Sequence, residues 1–104
     1  MAFKLKPNPT FRATAEISVP GEGAEPMRIP FEFRHLSRSA YKTEIEDAGL
    51  TVYDAVLHVT VGWEVEEVPF GRERLTELMD DFQASPQEIF ETYLKESRAS
   101  KRKN

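Results

Sequence analysis

A chain of 104 residues has room for one domain with one modest core and none for a separate cofactor module. The absence of cysteine excludes disulfides, thiolate nucleophiles and thiolate metal sites, and with nothing arguing for an oxidising compartment a cytoplasmic address is expected. A formal net charge of −4 argues against general nucleic-acid binding, which relies on Lys and Arg to neutralise phosphates, while 39% hydrophobic and 31% charged residues are the balance of a folded chain.

The start Met1-Ala2-Phe3-Lys4-Leu5-Lys6 has no apolar stretch of the signal-peptide kind, and no apolar run approaches the roughly 18 residues that span a bilayer. Neither secretion nor membrane insertion is expected. From Phe11 to Val19, apolar Phe11, Ala13, Ala15, Ile17 and Val19 alternate with polar residues, the period of a half-buried strand. Pro20 to Pro26 is dense in chain-reversing residues, and Met27, Ile29, Phe31 and Phe33 then alternate again. The pair predicts an antiparallel β-hairpin over about 10–34 with one apolar face. Pro30 on its polar side suits an edge strand. A two-stranded ribbon is marginal alone, so helices or a second copy must cover it.

Ser37 or Ser39 can cap a short first helix carrying Tyr41, Ile45 and Ala48, which Gly49 terminates. Thr51 with Asp54 resembles a capping box, and the apolar residues from Val52 to Trp63 predict a second helix. Its β-branched content leaves a strand open for Val56 to Val61. The acidic stretch Glu64 to Gly71, broken by Pro69 and Gly71, predicts a loop whose Val68 and Phe70 tuck against the core. A third helix follows over Arg72 to Phe82, with Leu75, Leu78, Met79 and Phe82 on one narrow face. Ser85-Pro86-Gln87-Glu88 signals a fourth helix in which Ser85 caps, Pro86 occupies the first position and Glu88 reaches back to the cap. It carries Ile89, Phe90, Tyr93 and Leu94, with Glu91 and Lys95 as an i,i+4 pair. The helical part thus covers about 37–98, and the basic tail 99–104, with Lys101, Arg102 and Lys103, is expected to extend disordered into solvent. The class is α+β in a single domain, 1–104: a hairpin followed by about four helices.

No constellation points to catalysis. No Gly-rich phosphate loop is present, and Gly21 and Gly23 sit in a turn. His35 and His58 lack the ligand spacing of a metal site, and His58, four residues after Asp54, reads as half of a surface ion pair. The acid clusters Glu44/Glu46/Asp47, Glu64/Glu66/Glu67 and Asp80/Asp81 read as solvated faces, since nothing places one in the apolar pocket that acid catalysis needs. Ser37, Ser39 and Ser85 fit caps rather than nucleophiles. No catalytic residue, cofactor or metal ligand is therefore expected. What remains is apolar surface: the narrow stripe of the third helix, the aromatic residues of the fourth and an unpaired hairpin edge are candidate docking faces. The candidate protein-binding residues are Leu75, Leu78, Met79, Phe82, Phe90 and Tyr93.

Four segments carry a resemblance that spans nearly the whole chain: Met1-Ala2-Phe3-Lys4-Leu5-Lys6-Pro7-Asn8-Pro9-Thr10-Phe11 leading into Arg12-Ala13-Thr14-Ala15-Glu16-Ile17; Pro30-Phe31-Glu32-Phe33-Arg34-His35; Val59-Thr60-Val61-Gly62-Trp63-Glu64 before an acidic loop; and Ile89-Phe90-Glu91-Thr92-Tyr93-Leu94 before a basic end. Together they resemble the tail assembly chaperones of long-tailed phages and prophages. The resemblance implies a non-enzymatic protein that binds the tape measure protein, keeps it soluble and recruits tail tube protein around it. It further implies a homo-oligomer in the cytoplasm of an infected or lysogenic bacterial host, absent from the mature virion. A longer form made by ribosomal frameshifting, with the basic end as junction, also follows from it. No membrane or nucleic-acid partner is implied. The alternative from another class is a structural phage component, a head–tail joining or tail terminator ring protein, which would stay in the particle.

Overall fold

The computed structural model describes residues 7–98. Strands β1 (Thr10–Ile17) and β2 (Met27–Arg34) pair antiparallel in full register, from Thr10 opposite Arg34 to Ile17 opposite Met27. Gly21 and Gly23 both have positive φ in the connection, where a side chain would be strained. The alternation places Ala15, Ile17, Ile29, Phe31 and Phe33 in the core. The opposite face is polar. There Glu16 meets Arg28 at 3.1 Å, Thr10 donates to Glu32 at 2.8 Å, and Arg12 pairs with Glu64.

Helix α1 (Arg38–Tyr41) starts where Ser37 Oγ accepts from the Ala40 amide, and it widens into a π-helical turn over Lys42–Glu46. Gly49, with φ +67°, ends the segment, as a left-handed terminator does. Ala48, expected on the apolar face, is exposed. Helix α2 (Val52–Val59) is capped by Thr51, whose Oγ1 accepts from the Asp54 amide at 3.1 Å.

The second helix does not run on to Trp63. The chain turns extended at Thr60 and forms β3 (Thr60–Trp63), so the sheet has three strands in the order β1-β2-β3. The expected edge position of β2 is corrected with it: β2 is central, and β3 pairs with its outer edge over Phe31–Phe33. Phe31 faces Trp63 and Glu32 faces Gly62, with a register irregularity before Phe33 meets Thr60. Pro30 survives in this central strand because it lies at the ladder's end. Its carbonyl accepts from the Glu64 amide at 2.9 Å, and its missing N–H removes at most one further bond. Val61 points out at 43% exposure, and the buried Thr60 hydroxyl has no partner among the described residues.

Helices α3 (Arg72–Asp81) and α4 (Ser85–Ser97) complete the fold. The start of α4 differs from expectation. Ser85 is fully buried inside the first turn and donates from Oγ to the Phe82 carbonyl at 2.7 Å, while Ala84 holds the cap position. Glu88 turns instead to the end of the hairpin, accepting from the Ser18 amide at 2.9 Å and from the Ser18 hydroxyl. Glu91 is engaged by Gln87 at 2.9 Å rather than by Lys95. Helix α4 lies against β1 and α2, and α3 packs on both helices. One contiguous core results, in which Phe31, Phe33, Phe11, Tyr93 and Phe90 form a chain of aromatic contacts with centroids 5.4–5.9 Å apart. The basic tail 99–104 and the lead Met1–Lys6 lie outside the described residues.

Candidate functional site

The helical period of α3 determines which of its apolar residues remain available. Leu75 and Met79 turn inward and are buried; Leu78 and Phe82, one step round, stay half-buried. The outer pair forms one wall of a groove of about 510 Å³. Met27 and Ile29 of β2 and Trp63 of β3 lie beneath, and Val65, Glu67, Val68 and Pro69 form the opposite lip. Its size falls within the roughly 300–1,000 Å³ of clefts that take a small ligand.

Trp63 fixes the loop lip. Its Nε1–H donates to the Val68 carbonyl at 2.8 Å, and its ring meets Phe70 edge-on at 5.3 Å. The Val68 amide closes a turn on the Val65 carbonyl at 3.1 Å. Between these residues Glu67 adopts φ +64°, a left-handed conformation that costs a non-glycine residue about 1–2 kcal/mol. Phe70 tucks in as expected, but Val68 remains exposed. Acids dominate the rim, with Glu67 on the loop and Glu77 and Asp81 on α3, and the rim's cation, Arg74, pairs with Glu77 at 3.0 Å.

A second concavity of about 590 Å³ lies at the C-terminal end of α4, lined by Arg38, Lys42 and Arg98 together with Glu46. Lys42 is held by Asp47 at 3.1 Å and Arg98 stacks over the Tyr41 ring at 5.4 Å. Tyr93 forms part of its floor, and burial, with a smaller contribution from Tyr41, raises its phenol pKa to about 12.

The six residues singled out from sequence therefore separate. Leu75, Met79, Phe90 and Tyr93 are interior, at 1%, 4%, 8% and 1% exposure, and serve the core. Leu78 and Phe82 alone line the groove. Periodicity marks all six as apolar-face residues without revealing which stripe the sheet covers. Trp63, one of the aromatic residues that the sequence offers for either a peptide groove or the core, completes the groove with Met27, Val65 and Val68, which periodicity does not single out; the exposed apolar residues beside Pro69 and Gly71 are the available signal.

The acids also find specific places. Glu44 meets His58 Nε2 at 2.6 Å, so the partner of His58 is Glu44 of the π turn rather than Asp54. Among the described residues no three His, Cys, Asp or Glu side chains converge on a point, and no helix is long and apolar enough to cross a membrane. The site offers shape, apolar surface and negative charge.

No curated protein and no solved structure matches this chain. A family model described as phage tail assembly chaperone does, over residues 1–104, which is the whole sequence. That match, over the whole sequence, places the chain in the phage tail assembly chaperone family.

Proposed function

We propose that this chaperone binds the tape measure protein through the groove between α3 and the Val65–Pro69 loop, keeps it soluble and promotes assembly of tail tube protein around it, without chemistry of its own. The family match along the full chain carries this reading. The groove supplies the physical means. Covering roughly 150 Å² of apolar surface, counted on both partners, contributes about 4 kcal/mol gross at about 25 cal/mol per Å², and association costs about 4–15 kcal/mol. A single contact is therefore weak and releasable. Several copies on one tape measure chain act by avidity, and so the working form is a homo-oligomer, joined by a longer frameshifted form where one is made. The complex forms in the host cytoplasm, and the chaperone leaves before the virion is finished.

Co-expression with the tape measure protein of the same genome tests the proposal. The tape measure protein should become soluble and co-purify. An insoluble tape measure protein, with this chain alone in solution and then found in purified virions, would instead favour the head–tail joining or tail terminator reading.

A further inference from the structure

We infer that the groove is a socket for a two-turn amphipathic helix whose apolar face is flanked by Lys or Arg. This inference rests on the tape measure reading and specifies the kind of segment recognised. Shape gives the first half. The α3 wall runs from Arg74 through Leu78 to Phe82, eight helical steps that rise about 12 Å, little more than two turns of a docked helix. That length seats apolar anchors at i, i+3 or i+4, and i+7. Against the α3 wall an extended peptide meets side chains and no free backbone partner, because that helix engages its own backbone, whereas a docked helix satisfies its backbone internally.

Charge gives the second half. Acids stand on both lips, Glu67 on the loop and Glu77 and Asp81 on α3, and Arg74 is already engaged by Glu77. Glu67 and Asp81 make no ion pair with a described residue. A neutral or acidic segment laid over the groove would partly desolvate these carboxylates without compensation. Cationic flanks pair with them and fix the register of the segment.

Two synthetic peptides of about 14 residues test this, both with Leu at i, i+3, i+4 and i+7, one filled out with Lys and the other with Glu. Trp63, the chain's single tryptophan, lies in the groove and reports binding by its emission. The Leu–Lys peptide should shift that emission and bind about tenfold more tightly than the Leu–Glu peptide at low salt, with the preference shrinking as salt rises. Glu67→Gln with Asp81→Asn should abolish the preference. Glu22→Gln with Glu25→Gln, which removes the same charge from the exposed hairpin turn, should preserve it. Equal loss in both variants, equal binding of both peptides or an unchanged Trp63 emission would overturn the socket. Failure here is distinguishable from failure of the chaperone reading. Tape measure protein that still co-purifies with the Glu67→Gln/Asp81→Asn variant removes the charge-reading socket and leaves that reading standing. Its absence from wild-type preparations removes the reading, while the peptide titration still decides the socket.

Discussion

Raising the pH above 10 should destabilise this protein through Tyr93, and Tyr93→Phe should remove that contribution. The side chain is 1% exposed, stacked on Phe11 and Phe90 and edge-on to Phe33, and burial pushes its phenol pKa up to about 12 because the interior disfavours phenolate. Below about pH 10, the value for an exposed tyrosine, folded and unfolded chains both hold the proton and the contribution is fully present. Between about 10 and 12 the unfolded chain releases the proton and the folded chain keeps it. Stability then falls by at most about 1.4 kcal/mol per pH unit, roughly 3 kcal/mol in all. Urea unfolding followed by circular dichroism from pH 8 to 12, on wild type and Tyr93→Phe in parallel, isolates this group, since every other titration is common to both chains. The two curves should converge or cross by roughly 3 kcal/mol. A constant difference across that range would refute the assignment of the high pKa to burial.

Other substitutions test the core and the groove separately. Phe33→Ala, at a fully buried position, should cost about 3–5 kcal/mol, visible as a lowered urea midpoint and close to the whole stability of a small domain. Leu78→Asp should cost only about 1–2 kcal/mol, since the side chain is half-buried and a fully buried leucine contributes about 1.5–3 kcal/mol. Circular dichroism should remain native while co-purification of the tape measure protein is lost. Glu67→Gly relieves about 1–2 kcal/mol of left-handed strain and gives back about 0.4–1 kcal/mol through the freer unfolded chain; thermal melts should show a gain of up to about 1 kcal/mol, a few degrees. Thr60→Val replaces a buried hydroxyl that lacks a partner among the described residues and should raise stability by about 1 kcal/mol, read as a higher urea midpoint.

The parts of the fold legible in the sequence are those set by neighbours along the chain. The hairpin alternation, the Thr51 cap, the Gly49 terminator and the inward face of α3 each follow from spacings of two to four residues, and the structure has them there. The third strand was not legible in the same way. Val56 to Trp63 satisfies a helical stripe as well as a strand, and a distant feature decides: the free edge of β2 offers backbone partners to Thr60, Gly62 and Trp63, and filling it outweighs the local helical preference. Gly62 fits that edge closely, since a Cβ there would lie 3.4 Å from Glu32. The groove was half legible. Helical spacing gives Leu78 and Phe82, but their separation from Leu75 and Met79, and the arrival of Met27 and Trp63 beside them, depend on how the sheet meets α3. Pairs such as Glu44 with His58 and Ser18 with Glu88 join segments that no local pattern links.

The contact between β1 and α4 also bears on how the protein is made. Ser18 and Glu88 are 70 positions apart, and at about 5–20 residues per second of synthesis roughly 4–14 s separate their appearance. During that interval the apolar side of the hairpin, with Ala15, Ile17 and Phe33, has no helix α4 to cover it. Long-range closure of this kind slows folding and exposes the nascent chain to unwanted association. Synthesis that stalls before residue 85 would release a chain with its sticky face open, so the supply of working chaperone depends on completed translation as much as on final stability.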